Sequence, residues 1–184
     1  MSNLFSDSDS FDKSTSVATA KEAKQFLKFA LYPSTKLMLP IRQITEVLKI
    51  RFGQIVPIPQ MPPWVMGVYN WRGDILWMVD LGHLIGCDPW YQRENHSSYY
   101  TGIVLSPGKE ETTVNRKTEI NLGLVVSRVE DIQMCDVSAI QSPRPKNDTT
   151  QLDPFLQGYW PEEEEMILVL DGKAIVAAMP QKSH

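Results

Sequence analysis

Apolar and polar positions alternate in short runs along most of the chain, and turn-forming residues separate the runs, which is the pattern of half-buried strands. The run Gln25-Phe26-Leu27-Lys28-Phe29-Ala30-Leu31-Tyr32 predicts a strand, Pro33-Ser34 a turn, and Lys36-Leu37-Met38-Leu39-Pro40 its antiparallel return. The stretch 41–48 has spacing that suits a short helix, but its β-branched Ile41, Ile44, Thr45 and Val47 turn the expectation toward a strand. Pro57, Pro59, Pro62 and Pro63 each remove a backbone donor, so 55–63 is read as an irregular connector, ending in one helical turn through Trp64-Val65-Met66. The strands Gly67-Val68-Tyr69-Asn70-Trp71 and Ile75-Leu76-Trp77-Met78-Val79, joined by Arg72-Gly73-Asp74, form the clearest hairpin, with Gly73 supplying a positive φ. Asp80 then stands at an N-cap position ahead of Leu81, Leu84 and Ile85 at helical spacing, with Gly86 to end the turn.

Beyond a polar link at 88–97, Ser98-Tyr99-Tyr100-Thr101-Gly102-Ile103-Val104-Leu105 begins a second set of strands, followed by a charged loop at 106–119. Ile120, Leu122, Leu124 and Val126 restore the period of two, and 129–134 continues it. After a polar loop at 142–153, the runs 155–160 and 166–170 flank an acidic turn, Pro161-Glu162-Glu163-Glu164-Glu165. Many short strands with few helices predict an all-β barrel or sandwich, and the break at 88–97 suggests two small barrels. Residues 1–22, rich in Ser and Asp and without an apolar period, are expected to be a disordered N-terminal tail.

Charge narrows the function. A net charge of −4 and a pI near 5.4 argue against a nucleic-acid binder, which needs clustered cations to displace counterions. Locally, however, Lys24, Lys28, Lys36, Arg42, Lys49 and Arg51 face only Glu46, a basic stretch suited to an acidic protein partner. Cys87 and Cys135 stand far apart with no companion at metal-ligand spacing, so reduced structural thiols are expected, with no metal and no cofactor. The N-terminus lacks a basic and apolar leader, and no apolar run nears the ~20 residues that span a bilayer, so a cytoplasmic protein without membrane insertion is expected.

Catalytic constellations are missing. No nucleophile with a base, paired carboxylates or glycine-rich phosphate loop stands out. His83, His96 and His184 are expected to be satisfied or exposed, and Glu162–Glu165 a solvated turn rather than a calcium loop. The chain is therefore read as a non-enzyme.

The segment running from Gly67 through Asn70-Trp71-Arg72-Gly73 to Asp80-Leu81 resembles the CheW family, whose pattern is Gly-x-x-Asn-Leu-Arg-Gly, an apolar strand and Asp-Leu. Ile44-Thr45-Glu46-Val47 is similar to the family's x-x-Glu-Val/Ile stretch, Pro57-x-x-x-x-Pro-x-Trp-Val-x-Gly to its approach to the hairpin, and Leu122-Gly123-Leu124-Val125-Val126-x-Arg128-Val129 to its second-half signature. Trp71 stands where Leu is usual, Trp77 where Pro is usual and Ser127 where Asp is common.

The resemblance covers about 24–179 and implies an all-β fold of two packed five-stranded SH3-like β-barrels with short helices. It implies a domain over 23–180, the chain passing between barrels near 88–97 and returning to the first toward the C-terminus. The implied role is a non-enzymatic adaptor that couples the cytoplasmic tip of methyl-accepting chemoreceptors to a CheA-type histidine kinase. An adaptor of a pilus-motility or phototaxis pathway stays open beside it, and more remotely a small-ligand sensor or enzyme using a barrel mouth. The partner-binding residues implied are Arg72, whose guanidinium can hold carboxylates or carbonyls, and Ile44, Glu46 and Val47, on the strand that faces the receptor's helical hairpin. Asn70, Gly73 and Gly67 are expected to support the binding hairpin.

Overall fold

In the computed structural model, residues 22–93, 98–105, 120–143 and 150–180 are described. Their strands are β1 (Ala23–Leu31), β2 (Thr35–Pro40), β3 (Ile44–Arg51), β4 (Val65–Trp71), β5 (Asp74–Asp80), β6 (Tyr99–Leu105), β7 (Asn121–Val126), β8 (Arg128–Asp136), β9 (Leu156–Glu162) and β10 (Glu165–Leu170). Two short helices, α1 (Leu81–Leu84) and α2 (Gly172–Ala177), follow β5 and β10. The strands form two five-stranded sheets, ordered β8-β1-β2-β10-β9 and β3-β6-β7-β5-β4. The pairs β2–β10 and β5–β7 are parallel, and the other pairs are antiparallel. Each hydrogen-bonded order is open, but isolated bridges, Val56 to Val68 and Gln141 to Tyr159, tie the segment after one edge strand to the opposite edge.

Alternation explains how two sheets sustain three cores. Leu27, Phe29 and Leu31 of β1 and Leu37 and Leu39 of β2 meet Ile103, Leu105, Leu122, Leu124 and Val126 in a core between the sheets. The intervening positions line each sheet's own interior: Tyr100, Val104 and Val125 with Ile50, Leu76 and Met78 in one, Phe26 and Met38 with Cys135, Ile167 and Val169 in the other. Since each fully buried Leu, Phe or Ile contributes ~1.5–3 kcal/mol, strands buried on both faces are the main source of stability.

A repeat underlies the arrangement. Pro63, Gly67, Asp80 and Leu84 recur as Pro154, Gly158, Asp171 and Ile175, each 91 residues later. The backbone repeats with them. Asp80 N–H donates to the Trp64 carbonyl and Asp171 N–H to the Phe155 carbonyl, both at 2.9 Å, and each aspartate caps the helix that follows. At the two hairpin tips Arg72 and Glu163 hold the same left-handed conformation, φ 55° and 51°.

Several expectations change. The 88–97 segment does not carry the chain between units: it joins β5 to β6 within one sheet, and the crossings lie at the 3₁₀ turn Ile41–Gln43 and at Ser127. The 41–48 stretch is thus a turn followed by a strand. Trp64 sits in a turn closed by Val65 N–H to the Pro62 carbonyl, and β4 starts at Val65, because Val65 already pairs with Val79 of β5. Helix α2, held by its Asp171 cap and buried Ile175, carries too short an apolar pattern to stand out in the sequence.

The acidic turn is only partly solvated. Glu162 pairs with Lys28 and Glu165 with Lys36. The Lys28 ammonium, donating to a half-buried carboxylate, holds Glu162 below the usual carboxylate range, against the opposing effect of burial. A depressed folded value means stability that is present above the unfolded value of 4.5 and is lost as pH falls through the folded value. Glu162→Gln is therefore expected to flatten the acid limb of a stability-versus-pH curve, followed by urea unfolding below pH 4.5. An unchanged limb would exclude this pair as its source.

Candidate functional site

The β4–β5 hairpin turns in two residues, Arg72 and Gly73, since Trp71 pairs directly with Asp74. Both turn residues have positive φ, 55° and 91°, the conformation that matches the twist of a two-residue hairpin. Gly73 adopts it freely, whereas Arg72 gives up ~1–2 kcal/mol in the left-handed region. Asn70 Oδ1 accepts from Gly73 N–H at 3.0 Å and fixes the loop.

Arg72 is held from two sides. Its Nη2 donates to Glu46 Oε2 at 2.8 Å, and its guanidinium carbon lies 5.4 Å from the centroid of the Trp71 ring. Trp71 Nε1 donates to the other oxygen of the same carboxylate. Glu46 lies on β3 and Trp71 on β4, the two edges of the sheet, so Glu46, Trp71 and Arg72 close a corner where the curled sheet meets itself. The Arg72 side chain is 68% exposed and Glu46 24%, so the pair stabilises the fold little, ~0–1 kcal/mol for such ion pairs. Its effect is orientation: a solvent-facing cation is kept in one place.

The structure thus brings Arg72, Glu46, Asn70 and Gly73 together, while Ile44 and Val47 do not join them. Val47 follows Glu46 on β3 and projects to the other face, 41% exposed, and Ile44 is half-buried against the core between the sheets. Gly67 lies under the Val56 carbonyl, where it permits the bridge that draws the sheet around. Trp71 was marked in the sequence only as a departure from pattern; its indole N–H is what ties the hairpin to Glu46. Trp71→Leu is expected to cost under ~1 kcal/mol of stability yet release the Arg72 side chain, seen as sharpened, averaged guanidinium NMR resonances. Unchanged Arg72 resonances would show that Glu46 alone suffices.

A second cluster was visible in the sequence only through the Asp80 cap. Asp80, with its side chain 1% exposed, accepts from Arg93 Nη2 at 2.9 Å, Trp90 N–H at 2.7 Å and His83 N–H at 3.3 Å, pinning the segment after α1. His83, expected to be satisfied or exposed, instead has a buried Nδ1 with no hydrogen-bond partner among the described residues, while His96 and His184 lie outside them. Burial pushes the Cys87 and Cys135 thiols up, which disfavours the reactive thiolate. Among the described residues no group of three or more His, Cys, Asp or Glu is placed to hold a metal, and no helix is long and apolar enough to cross a membrane.

Two curled five-stranded sheets packed through a shared core, with short capped helices after β5 and β10, define a CheW-like fold. The model of the CheW-like domain matches residues 25–179, and the chain belongs to that family. Among solved structures the chain is similar to the scaffolding protein TtCheW from Thermoanaerobacter tengcongensis, with a TM-score of 0.64 and 24% identity over 80% of this chain and 88% of that one. No curated protein sequence matched.

Proposed function

We propose that this protein is a non-enzymatic, cytoplasmic adaptor that couples methyl-accepting chemoreceptors to a CheA-type histidine kinase in chemotaxis-like signalling. The observation that carries the reading is the corner Glu46-Trp71-Arg72, which presents an oriented cation on the hairpin matching the family's Asn-Leu-Arg-Gly pattern. A guanidinium with one N–H already committed to Glu46 keeps further donors for a partner's carboxylates or carbonyls, and its pre-set direction lowers the ordering cost of binding. Val47, exposed on the outer face of β3 beside the seam between the sheets, supplies apolar contact for a helix of the receptor tip. The Arg72 hairpin tip and Val47 of β3 are separate surfaces, one for each of two partners. Affinity purification of the full chain from its native cell tests this reading: recovery of a chemoreceptor and a histidine kinase is expected, and recovery of neither would overturn it.

A further inference from the structure

Away from the corner, an aromatic cleft of about 350 Å³ opens where the β1–β2 turn of one sheet approaches β3 and β6 of the other. Phe52 stacks on Tyr100 with ring centroids 4.2 Å apart, and Trp90 packs edge-on against Tyr100 at 5.3 Å. Around this wall Tyr32, Phe52 and Tyr99 are each 42% exposed and Tyr91 59%, a concentration of bare aromatic surface that marks a binding site more often than plain solvent-facing surface.

The charge of the cleft is one-sided. Lys49 Nζ donates to Thr101 Oγ1 at 2.6 Å, and the Arg51 guanidinium lies 5.7 Å from the Tyr99 ring centroid at the rim. Among the described residues neither cation has a carboxylate partner, whereas Arg93, on the same wall, is neutralised by Asp80. An occupant should therefore bring aromatic or aliphatic side chains together with negative charge.

The chain carries such a segment outside the described residues. Leu4-Phe5-Ser6-Asp7-Ser8-Asp9-Ser10-Phe11-Asp12 holds two phenylalanines, one leucine, three aspartates and no cation. Length permits the contact: β1 has nine residues, about 30 Å, and the 11 residue steps from Phe11 to Glu22 reach ~36–40 Å when extended. We propose that residues 4–12 dock into this cleft of their own chain, a phenylalanine ring against Phe52 and Tyr100 and aspartates against Lys49 and Arg51. The tether supplies a high effective concentration, so weak contacts suffice and an external partner can displace the segment. This inference stands independently of the receptor and kinase reading.

Backbone amide NMR spectra of the full chain test it, comparing wild type with Phe5→Ser/Phe11→Ser and with Asp7→Lys/Asp9→Lys/Asp12→Lys. Both variants are expected to move the amides of Phe52, Tyr99, Tyr100 and Ser127 while leaving Phe29 and Ile167 in place. Added salt should shift the wild-type cleft amides toward the variant positions, and a synthetic peptide of residues 1–13 added to the phenylalanine variant should restore them. Cleft amides that do not move would overturn the proposal. So would shifts that depend on protein concentration, which would make a second copy the occupant, or a peptide without effect.

Discussion

Gly67→Val is expected to prevent stable folding. At φ 138° a side chain is strained before any neighbour is considered, and a Cβ at this position would stand 2.1 Å from the Val56 carbonyl oxygen and 2.6 Å from its carbon. Neither atom can yield cheaply, because Val56 N–H donates to the Val68 carbonyl at 2.8 Å and Val68 N–H returns to the Val56 carbonyl at 2.9 Å. Relieving the clash means opening this bridge, freeing the proline-rich connector and uncovering Ile55, which fills the interior of the second sheet. A loss above ~4 kcal/mol follows, beyond the range of ordinary substitutions and a large share of a small protein's stability. Soluble yield and chemical denaturation followed by circular dichroism check it, and a loss under ~1 kcal/mol would show that the connector moves aside. The counterpart Gly158, whose Cβ would meet the Gln141 carbonyl oxygen at 2.6 Å, should behave in the same direction.

Asp80→Ala is expected to cost ~3–5 kcal/mol, the penalty for removing one member of a buried ion pair. The Arg93 guanidinium, its side chain only 7% exposed, would keep the Asp88 carbonyl as its partner but lose its carboxylate. The Trp90 and His83 N–H groups would lose their acceptors at the same moment. The damage spreads because Arg93 lies where a Cβ on Gly82 would be, 2.4 Å away, so this side chain also packs against α1. Since the two residues share one network, Asp80→Ala/Arg93→Ala should cost clearly less than the sum of the single changes. Equal costs, measured by urea unfolding, would mean that Asp80 acts as a helix cap alone.

The features legible in the sequence are those that depend on near neighbours. Period-two alternation located the strands, and Asn70, Gly73 and the Asp80 cap were readable because turn and cap chemistry acts within a few residues. The strand order was not readable. Parallel pairing of β5 with β7 and of β2 with β10 joins residues 45 and 131 positions apart, and apolar alternation runs through the single-residue crossing at Ser127 without a break. At the site, Glu46 and Arg72 were named separately from a family pattern, but their contact depends on the sheet curling until its edges touch. Arg93 had no local signal at all, being one more cation in a polar link until Asp80 faces it. The 91-residue repeat was present in the sequence throughout, but only a few glycines, prolines and acids carry it, and the hairpin tips have diverged from Arg72 to Glu163.

That divergence concentrates the adaptor hypothesis on one side chain. Titration calorimetry of the kinase's regulatory domain into wild-type protein, Arg72→Ala and Arg72→Lys is the most direct test. Saturable binding to wild type is expected, with at least ~10-fold weaker binding to Arg72→Ala, which is ~1.4 kcal/mol, an intermediate value for Arg72→Lys, and the same unfolding midpoint for all three. Equal affinity for all three proteins would contradict it.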